Sequence, residues 1–191
     1  MNNISLNSPR TIEFGLGKIE TLRDHLKQNH RVFFLIDRPV VELVSPVLES
    51  IKQLGVSIEV STKVVPEPPF ESLEALLKPV REFNPDAVVG VGGGSTMDLA
   101  KLVAVLFAGE QKIEDIIGID NVLGRKIKLI TVSTTSGTGS EVTPIAVLTD
   151  TKAGLKKGVV SKYIIPDVAI VDPELTVGMP PFLTAALGCL Q

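Results

Sequence analysis

The sequence predicts an α/β protein: a mostly parallel sheet with helices on both faces. Three observations carry that expectation. Short runs of apolar and β-branched residues alternate with amphipathic stretches, at the spacing that joins parallel strands through helical crossovers. One of those strands runs through Gly92-Gly93-Gly94 into a helix. Finally, residues able to hold an anion or a sugar fall just after strands, and open sheets of this class bind ligands at the carboxyl ends of their strands.

Taken in order, Thr11-Ile12-Glu13-Phe14-Gly15 is a short first strand ending in a turn, followed by a helix over about residues 17–28. Arg31 to Ile36 is a second strand, closed by Asp37. Pro39 suits the first turn of the next helix, in which Val40, Leu43, Val44, Val47, Leu48, Ile51 and Leu54 recur at helical spacing until Gly55. Val56 to Val60 is a third strand, and Val65-Pro66-Glu67-Pro68-Pro69 is a loop before a helix over about 71–83. Asn84-Pro85-Asp86 turns into the central strand, Ala87 to Val91, whose helix spans about 96–107. A polar connector with Gly109, Gly118 and Gly124 leads to a fifth strand over 127–132. Pro144 to Leu148 and Val168 to Val171 are further strands, with Gly154 to Gly158 read as the turn between them.

The chemistry concentrates at three places. At Gly92-Gly93-Gly94-Ser95 the missing side chains let backbone approach a bulky anion, and a helix start offers free amides and a favourable dipole. Ser95 with Asp98 three residues on fits a capping box. The stretch lacks the last glycine of G-x-G-x-x-G and does not match G-x-x-x-x-G-K-[ST], so a merely tight turn is the competing reading. Asp37, at a strand end, can accept both hydroxyls of an adenosine ribose and repel a 2′-phosphate; equally, it can cap the helix at Pro39. The loop Ser133 to Ser140 is rich in hydroxyls and glycines, able to donate to a ligand or to satisfy its own backbone. Lys156 and Lys157 can meet a phosphate or ribose, or simply be solvated.

Composition narrows the classes. Hydrophobic residues make up 44% and charged residues 21% of the 191, which is ordinary globular material. A net charge of −3 with no basic cluster longer than a pair argues against nucleic acid. No apolar run is long enough for a membrane span, and the N-terminus lacks the apolar core of a signal peptide. Cys189 is the single cysteine, so no disulfide framework exists, and a cytoplasmic location is expected. The only histidines are His25 and His30, away from the strand ends; no H-x-x-x-H, H-E-x-x-H or G-x-S-x-G pattern occurs.

Gly92-Gly93-Gly94-Ser95-Thr96-Met97-Asp98-Leu99-Ala100-Lys101, the loop Thr134 to Pro144, and Pro166 to Pro173 together resemble the iron-containing (group III) alcohol dehydrogenases. Phe14-Gly15-Leu16-Gly17 and Pro66-Glu67-Pro68 fit the same pattern. Thr96 and Ser133 depart from prolines usual there. The resemblance implies a Rossmann-like, dehydroquinate synthase-like N-terminal domain over residues 1–182, with residues 183–191 starting a helix toward a helical metal-binding domain that is missing. It implies NAD(H)-dependent interconversion of an alcohol and an aldehyde or ketone. Asp37 is then expected at the adenosine ribose and Gly92, Gly93, Gly94 and Ser95 at the pyrophosphate. Thr134, Thr135, Thr138 and Lys156 are expected along the rest of the cofactor, and Asp98 in a structural or nicotinamide-proximal place.

The family's first metal ligand is an aspartate where this sequence has Leu190, and its three histidines lie further on. Fe2+ or Zn2+ is therefore expected in the complete family enzyme and not in this chain, which alone is expected to be inactive. A homo-oligomer is expected. Two alternatives remain at this level: a stand-alone nucleotide-binding module, and a lyase resembling dehydroquinate synthase, which the hydroxyl loop disfavours.

Overall fold

A computed structural model of the chain describes residues 7–188. Its strands are β1 (Thr11–Phe14), β2 (Arg31–Ile36), β3 (Ser57–Ser61), β4 (Ala87–Gly92), β5 (Gly118–Ile119), β6 (Lys128–Ser133), β7 (Ile145–Asp150), β8 (Leu155–Val160) and β9 (Val168–Val171). The helices are α1 (Thr21–Leu26), α2 (Val41–Lys52), α3 (Phe70–Phe83), α4 (Gly94–Leu106), α5 (Ile113–Ile116) and α6 (Pro181–Gly188).

Six strands form one sheet in the order β1-β9-β6-β4-β2-β3, and every pairing in it is parallel. Parallel strands buried on both faces read as continuous apolar runs rather than alternating ones. Val32-Phe33-Phe34-Leu35-Ile36 is such a run, fully buried. Its odd and even members face opposite ways. Phe33 and Leu35 pack with α3 and α4 through Leu73, Leu76, Val80, Leu99 and Val103. Val32, Phe34 and Ile36 pack with α1 and α2 through Leu22, Leu26, Val44, Val47 and Ile51. The protein is thus a three-layer sandwich, as the sequence predicts.

The sheet reverses its building direction between β2 and β4. From β2 the chain steps outward to β3, crosses back to β4, and then builds the other way through β6 and β9. Such a switch point opens a crevice at the strands' carboxyl ends. Asp37 follows β2 and Gly93-Gly94 follow β4, so both arrive there.

Three local expectations are corrected. Residues Gly154 to Gly158 are not all turn: Leu155–Val160 is β8, antiparallel to β7, with the turn confined to residues 151–154. These two strands and β5 make a separate three-stranded sheet, order β5-β8-β7. The polar connector after α4 contains α5 and β5, ordered by burial of Ile113 and Ile116 and by the Lys112 amide donating to the Asp115 carboxylate at 2.8 Å. The first helix begins as a 3-10 turn at Lys18–Glu20 and becomes α1 only at Thr21. Both Pro46 and Pro79 sit inside helices, in α2 and α3.

Candidate functional site

A cleft of about 550 Å³ lies at the switch point, and Asp37, Gly93, Gly94, Ser95, Thr134, Thr135 and Thr138 all line it. Register brings them together. Ile36 pairs with Val91, the Asp37 amide continues the ladder to the Val91 carbonyl at 3.0 Å, and the Asp37 side chain reaches the glycine turn. Gly92 pairs with Ser133, and the Thr134 amide donates to the Gly92 carbonyl at 3.1 Å, which sets the hydroxyl loop beside the same turn.

The Asp37 carboxylate does not cap the 3-10 turn that follows it. Instead its Oδ2 accepts the Gly93 amide at 2.9 Å and its Oδ1 accepts the Thr96 hydroxyl. This explains Gly92, whose backbone is otherwise unremarkable: a Cβ there would stand 2.4 Å from Asp37 Oδ2 and 2.7 Å from Thr96 Oγ1. Gly92 therefore makes room for protein and does not line the cleft. Gly94 faces Thr138, whose nearest atoms would be 3.0 Å from an added Cβ. Gly93 is the open one; its nearest neighbour would be the Thr135 methyl at 3.4 Å. The three glycines thus have three different reasons.

Helix α4 begins at Gly94 with Gly93 at its N-cap position and no side chain capping it. The capping box expected of Ser95 and Asp98 does not form. Ser95 Oγ accepts the Glu67 amide at 3.3 Å, and Asp98 turns to the other side of the helix. The first-turn amides of a helix have no intrahelical acceptor. Gly94 and Ser95, which open the helix, line the cleft with no side-chain cap at the helix start, and free amides at such a start suit an anion.

Asp98 belongs to a buried network behind the cleft. Its Oδ1 accepts the Ser140 hydroxyl at 2.5 Å and its Oδ2 the Val147 amide at 3.0 Å. Lys101, wholly buried, donates to Ser140 Oγ (2.9 Å), Thr143 Oγ1 (3.3 Å) and the Ile145 carbonyl (2.7 Å), with Asp98 Oδ1 at 3.6 Å. Each ammonium proton has an acceptor, so the buried charge is satisfied. Burial nonetheless pushes the Lys101 pKa down to about 8, against the opposing pull of Asp98. Through these bonds α4 holds the hydroxyl loop and the start of β7, and so positions Thr138 over the cleft.

Lys156 lies on β8, outside the cleft lining, and pairs with Glu67 at 2.6 Å. Glu67 takes a left-handed backbone, φ 51°, in the loop that also carries Pro66 into the cleft. The hydroxyl loop does satisfy part of itself: Ser133 donates to the Thr135 carbonyl at 2.8 Å and Thr138 Oγ1 accepts the Ser140 amide at 3.3 Å. Sequence reasoning missed Thr96 and Lys101. Lys101 had a signal, as a lysine on the apolar side of α4 three residues after an aspartate; Thr96 stood out only as a departure from a proline usual there.

Among the described residues no three His, Cys, Asp or Glu side chains cluster so as to hold a metal ion. Leu190, where the resemblance expects a metal-ligating aspartate, lies outside the described residues. Among the described residues no helix is long and apolar enough to cross a membrane.

Comparison with known proteins identifies the family and the fold. The family model for iron-containing alcohol dehydrogenase matches residues 9–173. Long-chain-alcohol dehydrogenase 1 of Geobacillus thermodenitrificans is 41% identical over 187 residues, covering 94% of this chain and 47% of that protein. The solved structure of the alcohol dehydrogenase from Oenococcus oeni superposes with a TM-score of 0.91 at 31% identity, over 97% of this chain and 50% of that one. Sulfoacetaldehyde reductase from Bifidobacterium kashiwanohense, solved in complex with NAD+, superposes with a TM-score of 0.87 at 31% identity, over 98% and 51%. The chain therefore spans about half the length of the relatives it matches. Because the family match runs unbroken from β1 through the glycine turn and the hydroxyl loop to β9, this chain belongs to the iron-containing alcohol dehydrogenase family.

Proposed function

We propose that this chain is the cofactor-binding half of an NAD(H)-dependent oxidoreductase that interconverts an alcohol and an aldehyde or ketone. One observation carries the reading: an uncapped helix start, an acid and a hydroxyl loop converge on one cleft at the switch point of the sheet. The NAD+ complex of the structurally similar reductase supports the choice of ligand.

In this reading the amides opening α4 donate to the pyrophosphate, and Gly93 leaves the space for its close approach. Thr134, Thr135 and Thr138 form the hydroxyl wall on the β6 side. The Asp37 carboxylate accepts the adenosine ribose hydroxyls with the lone pairs that Gly93 and Thr96 leave open. A carboxylate at that place meets a 2′-phosphate as a like charge, so the cofactor is NAD(H) rather than its 2′-phosphorylated form. Val40, Leu43 and Val64 supply apolar surface for the adenine. Asp98 and Lys101 act on the loop and not on the ligand, and Lys156 reaches it only by leaving Glu67.

The bound nicotinamide supplies the hydride acceptor and donor. Hydride transfer also requires stabilisation of charge on the alcohol oxygen. In the complete family enzyme that task falls to Fe2+ or Zn2+, and no three His, Cys, Asp or Glu side chains cluster for either among the described residues. The cofactor domain in this reading runs to residue 182, a boundary that falls within the first turn of α6. A cytoplasmic location and a homo-oligomeric state belong to the same reading, the latter supported by the exposed Ile12 and Phe14 on edge strand β1.

The test is calorimetric titration of the purified chain with NADH and with ADP-ribose. Both should bind at one site per chain, and Asp37→Ala should weaken both. Failure of either ligand to bind at millimolar concentration would overturn the proposal.

A further inference from the structure

We infer that Thr96 sets the cofactor preference, by holding the Asp37 carboxylate on the glycine turn where it opposes a 2′-phosphate. The inference rests on reading Asp37 as the ribose contact. Thr96 is wholly buried in the first turn of α4, and its hydroxyl donates to Asp37 Oδ1 while the Gly93 amide donates to Oδ2 at 2.9 Å. Each carboxylate oxygen is thus held by a different donor, one from a side chain and one from the backbone. The absent Cβ of Gly92 closes the arrangement, since any atom there would collide with both Asp37 and Thr96.

An aspartate at a strand end has two side-chain torsions and can ordinarily swing into water. With two donors on opposite oxygens, both torsions are fixed. A carboxylate accepts at about four lone-pair positions, so two remain for the vicinal hydroxyls of a ribose. The same fixity denies it the escape that a 2′-phosphate would require. The next residue, Arg38, is exposed and lines the same cleft. Released from Thr96, Asp37 could rotate outward and leave Arg38 as the charge nearest the ribose, which is the arrangement that accepts a 2′-phosphate. Thr96 acts through Asp37 and is therefore a positioning residue.

The test measures the ratio of dissociation constants for NADPH and NADH, by titration of wild type, Thr96→Val, Thr96→Ser and Asp37→Ala. Wild type should favour NADH, and Asp37→Ala should abolish most of that preference. Thr96→Val, nearly isosteric but without the donor, should reduce the ratio about tenfold, the scale of one charge-assisted hydrogen bond. Thr96→Ser keeps the hydroxyl and should retain the wild-type ratio. Thr96→Ala makes the same measurement if valine prevents folding. A purely structural role would lower both affinities together and leave the ratio unchanged, which would overturn the inference. If Asp37→Ala collapses the ratio while Thr96→Val keeps it, Thr96 falls and the Asp37 reading stands. If wild type shows no preference, or Asp37→Ala does not change it, the Asp37 reading fails and this inference with it.

Discussion

Two adjacent glycines should fail for opposite reasons when replaced by alanine. In Gly92→Ala the new Cβ would lie 2.4 Å from Asp37 Oδ2, 2.6 Å from Asp37 Cγ and 2.7 Å from Thr96 Oγ1. No Cβ tolerates such contacts, so the carboxylate must leave the turn. Overpacking costs about 1–3 kcal/mol, and loss of hydrogen bonds to a charged group about 1.5–3 kcal/mol. Because the two effects share one displacement they will not fully add, and about 2–5 kcal/mol is expected. With a urea slope of about 2 kcal/mol/M, the unfolding midpoint should fall by about 1–2.5 M. In Gly93→Ala the Cβ meets only the Thr135 methyl, at 3.4 Å, in an extended backbone that any residue adopts. Its midpoint should stay within about 0.5 M of wild type, while NADH affinity drops at least about tenfold as the methyl takes the space assigned to the pyrophosphate. Urea unfolding and NADH titration of the two variants separate the effects. A wild-type midpoint for Gly92→Ala, or undiminished NADH binding by Gly93→Ala, would refute the reasoning.

Three further outcomes are expected. Lys101 ionises at about 8 when folded and near 10.5 when unfolded, so between these values the unfolded chain binds the extra proton and stability rises with pH. The difference in unfolding free energy between wild type and Lys101→Met should grow by on the order of 3 kcal/mol from pH 8 to 10.5 and be flat below, as measured by urea unfolding across that range. Gly90→Ala would place its Cβ 2.7 Å from the Ala100 Cβ, at the contact of β4 with α4; it should cost about 1–3 kcal/mol, largely recovered in the double variant with Ala100→Gly. Incubated with simple alcohols and NAD+, the 191-residue chain should form no NADH despite binding it; turnover that survives chelation and repurification would contradict the role assigned to this half.

The sheet was legible because its inner strands are buried on both faces. Phe33, Phe34, Val88, Val89, Ile130 and Val132 are all fully enclosed, and the polar residue that separates the last two, Thr131, is itself wholly buried. β8 was hidden for the converse reason. Lys156 and Lys157 project from an outlying antiparallel hairpin, and Gly158 lies beside them, so the segment has the composition of a turn. α5 is four residues long and owes its order to tertiary burial, which no local periodicity records.

In the candidate site, Asp37, the glycines and the hydroxyl loop could be singled out because strand ends mark their location. Their partners could not. The capping box of Ser95 and Asp98 obeys a local rule, yet the Glu67 amide, Ser140 and Val147 compete successfully for those side chains from distant parts of the chain. The Thr96 hydroxyl meets Asp37 across 59 residues, and the cleft's apolar wall joins Val64 to Met179. Contacts of that kind exist only once the sheet is built.

The most direct measurement is a crystal structure of this chain with NADH. The account predicts the pyrophosphate at the opening of α4 against Gly93, and the adenosine ribose hydroxyls on Asp37, with Thr96 still donating to that carboxylate. A dinucleotide bound away from the switch-point cleft, or one bound there with Asp37 and Gly93 out of contact, would contradict it.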